Sequence, residues 1–190
     1  MGAKPWFRRS TWVFHLNSGS CNGCDIEVLN MFAPTQDVER LGVKLVGSPL
    51  HADVIVFTGP VTFQALPYVV RAFKAIPNPK AVVACGSCAC GGGIWHDSYN
   101  VVGGIDALYE VMESLGMPKP PTVYVPGCPP KPEAMMYGVL LARGMVEQRQ
   151  RREVFVEEPP QEGLEGLSVE GLEELVARAA KAVKGVRARR

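Results

Sequence analysis

Ala81-Val82-Val83-Ala84-Cys85-Gly86-Ser87-Cys88-Ala89-Cys90 is the stretch whose reading decides the fold. Its first four residues are a near-continuous apolar run with no polar alternation, the pattern of a strand covered on both faces, as in a parallel sheet. The run delivers the chain to a cysteine. Cys85 through Gly93 then holds four glycines and three cysteines. That composition is too flexible and too polar for a regular element, and it reads as a site loop. The same arrangement recurs on either side. Thr11-Trp12-Val13-Phe14-His15-Leu16, short and rich in β-branched and aromatic residues, is ended by Asn17-Ser18-Gly19 and runs into Cys21-Asn22-Gly23-Cys24. Thr122-Val123-Tyr124-Val125 runs into Pro126-Gly127-Cys128-Pro129-Pro130.

Between these strands the pattern changes to helical. Cys24 to Phe32 is expected to be a helix, with Ile26, Leu29 and Met31 to Phe32 as its apolar stripe, Asp25 and Glu27 in the first turn and Pro34 as the stop. Val43–Val46 and Asp53–Thr58 read as strands. Thr62 to Ala75 reads as a helix burying Leu66, Val69, Val70, Phe73 and Ile76. Ile105 to Leu115, ended by Gly116 with Pro118 just beyond, and Pro132 to about Gln148 complete the set. Strands alternating with helices imply an α/β domain, a doubly wound parallel sheet with helices on both faces. Such sheets bind ligands outside the carboxyl ends of their strands, where the strand order reverses. All three cysteine segments directly follow strands, so they converge on one edge, and four or more thiols there predict a metal centre.

The bounds agree with one such domain. The chain has 190 residues, 47% hydrophobic and 21% charged, enough for one sizeable core. Residues 11–148 are expected to form it, with an N-terminal extension over 1–10 and a C-terminal extension over 149–190. A formal charge of +1 argues against a strong pull on nucleic acid. No apolar stretch approaches the roughly 20 residues that cross a bilayer. The N-terminus runs directly into a strand without a cleavable apolar region, which places the chain in the cytoplasm, where clustered thiols are metal ligands or catalytic groups rather than disulfides. In the tail, Val154-Phe155-Val156 suggests an edge strand and Ser168 to Val186 an amphipathic helix ending in Arg187-Ala188-Arg189-Arg190. That helix, like Trp6-Phe7-Arg8-Arg9, suits a partner contact or a membrane surface.

Spacing alone leaves the metal open between zinc and iron–sulfur. A Cys₄ zinc site usually pairs two C-x-x-C knuckles, whereas here one C-x-x-C joins single cysteines from separate loops. Cys128 followed by Pro129 is the order found in ferredoxin-type cluster motifs. A thioredoxin-like dithiol at Cys21 and Cys24 leaves Cys88 and Cys128 without a role. Gly19, Gly23, Gly86 and Gly127 permit backbone N–H groups close to sulfur, and the helix beginning near Cys24 points its positive end at an anionic cluster.

Five motifs in order, Cys21-Asn22-Gly23-Cys24-Asp25-Ile26-Glu27, Ser48-Pro49-Leu50-His51-Ala52-Asp53-Val54, Thr58-Gly59-Pro60-Val61-Thr62, Gly86-Ser87-Cys88-Ala89 and Pro126-Gly127-Cys128-Pro129-Pro130, resemble the small Fe–S subunit of energy-converting, membrane-bound [NiFe] hydrogenases. That family is similar to the 20 kDa subunit of complex I. The resemblance covers roughly residues 10 to 147. It implies a flavodoxin-like domain with one [4Fe–4S] cluster on Cys21, Cys24, Cys88 and Cys128, Cys88 being chosen over its neighbours by the family pattern Gly-x-Cys-Ala. It implies an electron-transfer subunit with no complete active site of its own. Its partners would be a large catalytic subunit of the [NiFe]-hydrogenase type, a ferredoxin-like multi-cluster subunit and membrane-arm subunits of an ion-translocating complex, on the cytoplasmic side of the cell membrane. Complex I subunits carry two adjacent cysteines in the first motif; the two-residue spacing here favours the hydrogenase-like branch. The alternatives are a complex-I-like quinone reductase, a related sulfur-reducing complex and a structural zinc-binding subunit. Cys85 reads as a buried small hydrophobe and Cys90 as a spare or loop-packing residue. His96, beside Trp95, is either a cluster-tuning or a loop-packing group, and His51 either borders a partner or is a surface histidine. Glu27 and Glu133 read as helix-start acids, Glu27 with a proton path toward a partner as its other reading.

Overall fold

The computed structural model describes residues 10–144. Within them the chain runs β1 (Thr11–Asn17), α1 (Gly23–Met31), β2 (Val43–Val46), β3 (Val54–Thr58), β4 (Val61–Thr62), α2 (Leu66–Ala75), β5 (Ala81–Cys85), α3 (Ser87–Gly91), β6 (Val101–Gly103), α4 (Ile105–Ser114), β7 (Thr122–Val125) and α5 (Pro132–Ala142), with short 3₁₀ turns at Val38–Leu41, Pro49–His51 and Gly93–Trp95. Five strands form one sheet in the order β2-β1-β3-β5-β7. Every neighbouring pair in it is parallel. Counting only its own strands, the order is 2-1-3-4-5, the flavodoxin-like winding whose reversal lies between the first and third strands. The apolar runs have a direct cause. Along β3, Val54 and Val56 face α1 and α5 with Val28, Met31, Met135 and Val139. Ile55 and Phe57 face α2 and α4 with Val69, Phe73, Leu108 and Met112. All four strand residues are fully buried, so neither face has a place for a polar residue. β5 alternates in the same way, which turns Cys85 toward the α1/α5 face, completely buried.

Helix α5 lies close against the sheet because Gly138 permits it. A Cβ there would stand 2.6 Å from Val125 Cγ2 and 3.1 Å from Val83 Cγ1. Beyond the C-terminal end of α5, Arg143 donates from Nη1 to Leu41 O at 2.6 Å, which ties this end of the helix to the turn before β2.

The structure departs from the sequence reading in three places. The glycine-rich stretch after β5 is not irregular: Ser87–Gly91 closes into a short helix, with Cys90 N donating to Gly86 O and Gly92 N to Cys88 O. Its glycines sit at the ends, where the chain must turn, and the interior is Ser-Cys-Ala-Cys. Helix α2 begins at Leu66 rather than Thr62, because Val61 and Thr62 pair antiparallel with β6 in a separate two-stranded sheet. Helix α1 buries Cys24, Val28 and Met31, spaced for one face, and leaves Ile26 and Leu29 64% and 60% exposed. Counting Cys24 as an apolar residue selects the correct face. The expected continuation of α5 to Gln148 and the expectations for residues 1–9 and for the tail lie outside the described residues. No helix among the described residues is long and apolar enough to cross a membrane.

Candidate metal centre at the carboxyl edge of the sheet

Three carboxyl-terminal strand ends deliver the cysteines. Past β1, Asn17 Oδ1 accepts from Gly19 N at 2.8 Å and Ser20 N at 3.0 Å, which folds the chain into a turn. Cys21 follows, exposed, and Asn22 takes a left-handed conformation (φ 69°) that starts α1, so Cys24 lies buried in the first helical turn. Past β5, Gly86 (φ +94°) makes the turn that puts Cys88 in α3. Past β7, Cys128 is exposed in a loop with a cis bond to Pro129. Ser87 joins the last two loops. Its N donates to Gly127 O at 2.7 Å, and its Oγ lies 3.2 Å from that oxygen.

Close approach of sulfur to backbone accounts for two glycines. A Cβ on Gly86 would stand 2.6 Å from Cys24 Sγ, and one on Gly93 (φ +56°) 2.8 Å from Cys88 Sγ. Any other residue at either position displaces a thiol.

Electrostatics sort the six cysteines. Burial, followed by the charges of Asp25, Cys21, Cys88 and Cys128, pushes the Cys24 thiol up to about 11. Burial and the charges of Cys128 and Cys21 raise Cys88, against a backbone hydrogen bond at Ile94 that lowers it. Cys21 and Cys128 therefore act on both Cys24 and Cys88. Cys90 is held differently: its Sγ donates to Ala84 O at 3.6 Å, and burial pushes its thiol up to about 11 against a backbone hydrogen bond at Val125, with smaller contributions from Asp106 and Cys88. Cys85 is raised by burial first and faces Cys24 and Cys90 from within the core. Without metal, thiols shifted in this direction keep their protons at neutral pH, and binding a metal releases them. Among the described residues, no three His, Cys, Asp or Glu side chains close on a single-ion position.

The other candidates lie elsewhere. His51 is exposed just before β3, at the opposite edge of the sheet, with its ring edge-on to Trp12 at 6.1 Å. His96 is exposed and pairs with Asp97 at 3.0 Å. Glu27 accepts from Asn30 Nδ2 and Glu133 from Gln36 Nε2, both at 3.3 Å on the surface. The sequence reading passed over one constellation, formed by His15, Asn17, Asp25 and Thr58. His15 Nε2 lies 2.8 Å from Asp25 Oδ1 and 3.0 Å from Thr58 Oγ1, while Asn17 Nδ2 donates to Asp25 Oδ2 at 2.7 Å. The signal was available in strand alternation. Val13-x-His15-x-Asn17 and Val54-x-Val56-x-Thr58 each turn polar at the carboxyl end, on one face of paired strands, with Asn17 opposite Thr58.

Comparison with known proteins places this geometry in a family. The chain is 46% identical over 157 residues to the probable membrane-bound hydrogenase subunit mbhJ of Pyrococcus furiosus, covering 83% of this chain and 86% of the relative. It is 40% identical over 182 residues to formate hydrogenlyase subunit 7 of Escherichia coli, covering 95% and 68%. Among solved structures it superposes on a chain of the membrane-bound sulfane sulfur reductase, an archaeal respiratory membrane complex, with a TM-score of 0.58 and 33% identity, over 73% of this chain and 71% of that one. The family model for the NADH ubiquinone oxidoreductase 20 kDa subunit matches residues 21–142, from the first cysteine of the site to the end of α5. With all three cysteine loops inside that match, the chain belongs to the NADH ubiquinone oxidoreductase 20 kDa subunit family.

Proposed function

We propose that this protein is the electron-transfer subunit of a membrane-bound, hydrogenase-type respiratory complex related to complex I, and that Cys21, Cys24, Cys88 and Cys128 hold one [4Fe–4S] cluster. The observation that carries the reading is the convergence of three cysteine loops at the carboxyl edge of the sheet, where Gly86 packs on Cys24 Sγ, Gly93 packs on Cys88 Sγ and Ser87 N binds Gly127 O, while Cys90 Sγ reaches back to Ala84 O. Four cysteines are the ligand set of such a cluster, and Gly86 and Gly93 leave room for sulfur against the backbone. A bound cluster supplies one-electron exchange at a potential set by its surroundings. The chain itself contributes position: α1, α3 and the loop after β7 hold the thiols, and the sheet beneath them excludes water. Substrate chemistry belongs to a large catalytic partner, and a multi-cluster subunit and membrane-arm subunits complete the complex, with this chain peripheral on the cytoplasmic side. The relatives named as hydrogenase and hydrogenlyase subunits and the two-residue spacing of Cys21 and Cys24 favour hydrogen as the partner's substrate. The sulfane sulfur reductase superposition favours a second reading with the same cluster and a sulfur acceptor.

The test is metal and acceptor analysis of the complex purified anaerobically. The proposal expects iron and acid-labile sulfide, a broad visible absorption bleached by reductant, and hydrogen evolution from a reduced ferredoxin-type donor. A colourless preparation containing zinc and no iron overturns the cluster; reduction of polysulfide or quinone in place of proton reduction overturns the hydrogenase assignment.

A further inference from the structure

We infer that Asp25 is a positioning residue whose fixed negative charge beside Cys24 holds down the potential of the centre. The inference rests on the cluster reading above. Asp25 follows Cys24 in the first turn of α1, and its side chain is only 13% exposed. Both carboxylate oxygens are held: Oδ1 accepts from Thr58 Oγ1 at 2.5 Å and faces His15 Nε2 at 2.8 Å, and Oδ2 accepts from Asn17 Nδ2 at 2.7 Å. Asn17 also turns the chain into Cys21 through its bonds to Gly19 N and Ser20 N. One carboxylate thereby fastens both ends of the Cys21–Cys24 loop. Among the described residues, no Lys or Arg is paired with Asp25; its basic neighbour is the His15 imidazole.

The charge is close enough to act on the sulfur. The carboxylate belongs to the residue that directly follows Cys24, and its side chain is largely shielded from water. An anion at this distance in a partly buried site opposes any increase in negative charge on the group that Cys24 ligates. One-electron reduction is such an increase, so the carboxylate makes reduction harder, and donors to the carboxylate offset part of the effect. A neutral side chain at position 25 would remove the bias, and Lys or Arg would reverse it.

The experiment is a potentiometric titration of the intact complex, followed by EPR, for the unmodified protein, Asp25→Asn, Asp25→Glu and Thr58→Val. Asp25→Asn is expected to shift the midpoint of this centre to a more positive value, and Asp25→Glu, which keeps the charge, to leave it near that of the unmodified complex. Thr58→Val removes one donor to the carboxylate at nearly constant volume and is expected to shift the midpoint negative. Equal shifts in Asp25→Asn and Asp25→Glu, or no shift in Asp25→Asn, overturn the inference. If Asp25→Asn does not assemble, Thr58→Val decides alone: a negative shift supports the inference, and an unchanged or positive midpoint overturns it. A complex in which the unmodified protein yields no iron–sulfur signal removed by Cys88→Ser overturns the cluster reading itself, a result distinct from an unshifted midpoint.

Discussion

At the residue scale, the fold raises the Cys24 and Cys88 thiols above their ordinary range, chiefly by burying them. An unfolded Cys24 ionises near its ordinary value of 9.0, whereas burial and neighbouring charges keep the folded thiol protonated up to about 11. Between those values the unfolded state has lost a proton that the folded state retains, so the metal-free chain loses stability as pH rises through this window. The shift of Cys88 has the same sign. Urea midpoints of the metal-free protein are expected to fall from pH 9 toward 11, and to fall less in Cys24→Ser; a flat profile contradicts the assignment of burial at this thiol. That the three cysteine segments share one edge was legible in the sequence from their position after strands, and the preference for Cys88 came from the family pattern Gly86-Ser87-Cys88-Ala89. That Cys90 Sγ reaches back to Ala84 O was not legible, since two residues in one short helix differ in direction only once that helix exists. The Asp25 clasp was marked only in part, by the polar carboxyl ends of β1 and β3. Its members come from two strands and one helix, and no local window contains them.

At the scale of elements, glycines set the contacts that place the thiols and pack α5. Gly86→Ala would combine a backbone at φ +94° with a Cβ 2.6 Å from Cys24 Sγ. Strain of this kind costs about 1–3 kcal/mol, and here it acts directly on a thiol, so loss of the visible cluster spectrum is expected along with reduced stability. Gly138→Val is the contrasting case. It forces α5 away from Val125 and Val83, with an expected destabilisation of about 1–3 kcal/mol by overpacking and little effect on the spectrum of whatever protein remains folded. Denaturant midpoints read beside visible absorption separate the two; a spectrum unchanged in Gly86→Ala counts against the close packing at Cys24. Strand positions were readable because burial on both faces leaves runs such as Val54-Ile55-Val56-Phe57 without interruption. Helix faces were less so. Ile26 and Leu29 look like a core stripe, yet α1 turns toward the sheet the face that carries Cys24, Val28 and Met31, because a buried cysteine packs as a core residue. Helix α3 was missed because its glycines, read as an average over the stretch, masked a regular interior.

At the scale of the whole molecule, one winding order explains the site. Strand order 2-1-3-4-5 puts the ends of β1, β5 and β7 along one edge and the Cys21–Cys24 loop at the strand whose two neighbours are β2 and β3. Alternation of strands and helices was enough to infer this arrangement from sequence, since parallel strands require crossovers and crossovers leave every βα loop on the same edge. The small β4–β6 sheet was not inferred, because two- and three-residue strands carry no periodic signal. The central claim is that four cysteines from three loops serve one cluster and that Cys90, two residues from Cys88, does not. Its most direct test is to introduce Cys88→Ser and Cys90→Ser separately into the intact complex and record the iron content and the EPR spectrum after reduction. The account predicts that Cys88→Ser loses the iron and the signal of one [4Fe–4S] cluster while Cys90→Ser keeps both. Loss in Cys90→Ser with retention in Cys88→Ser would contradict it.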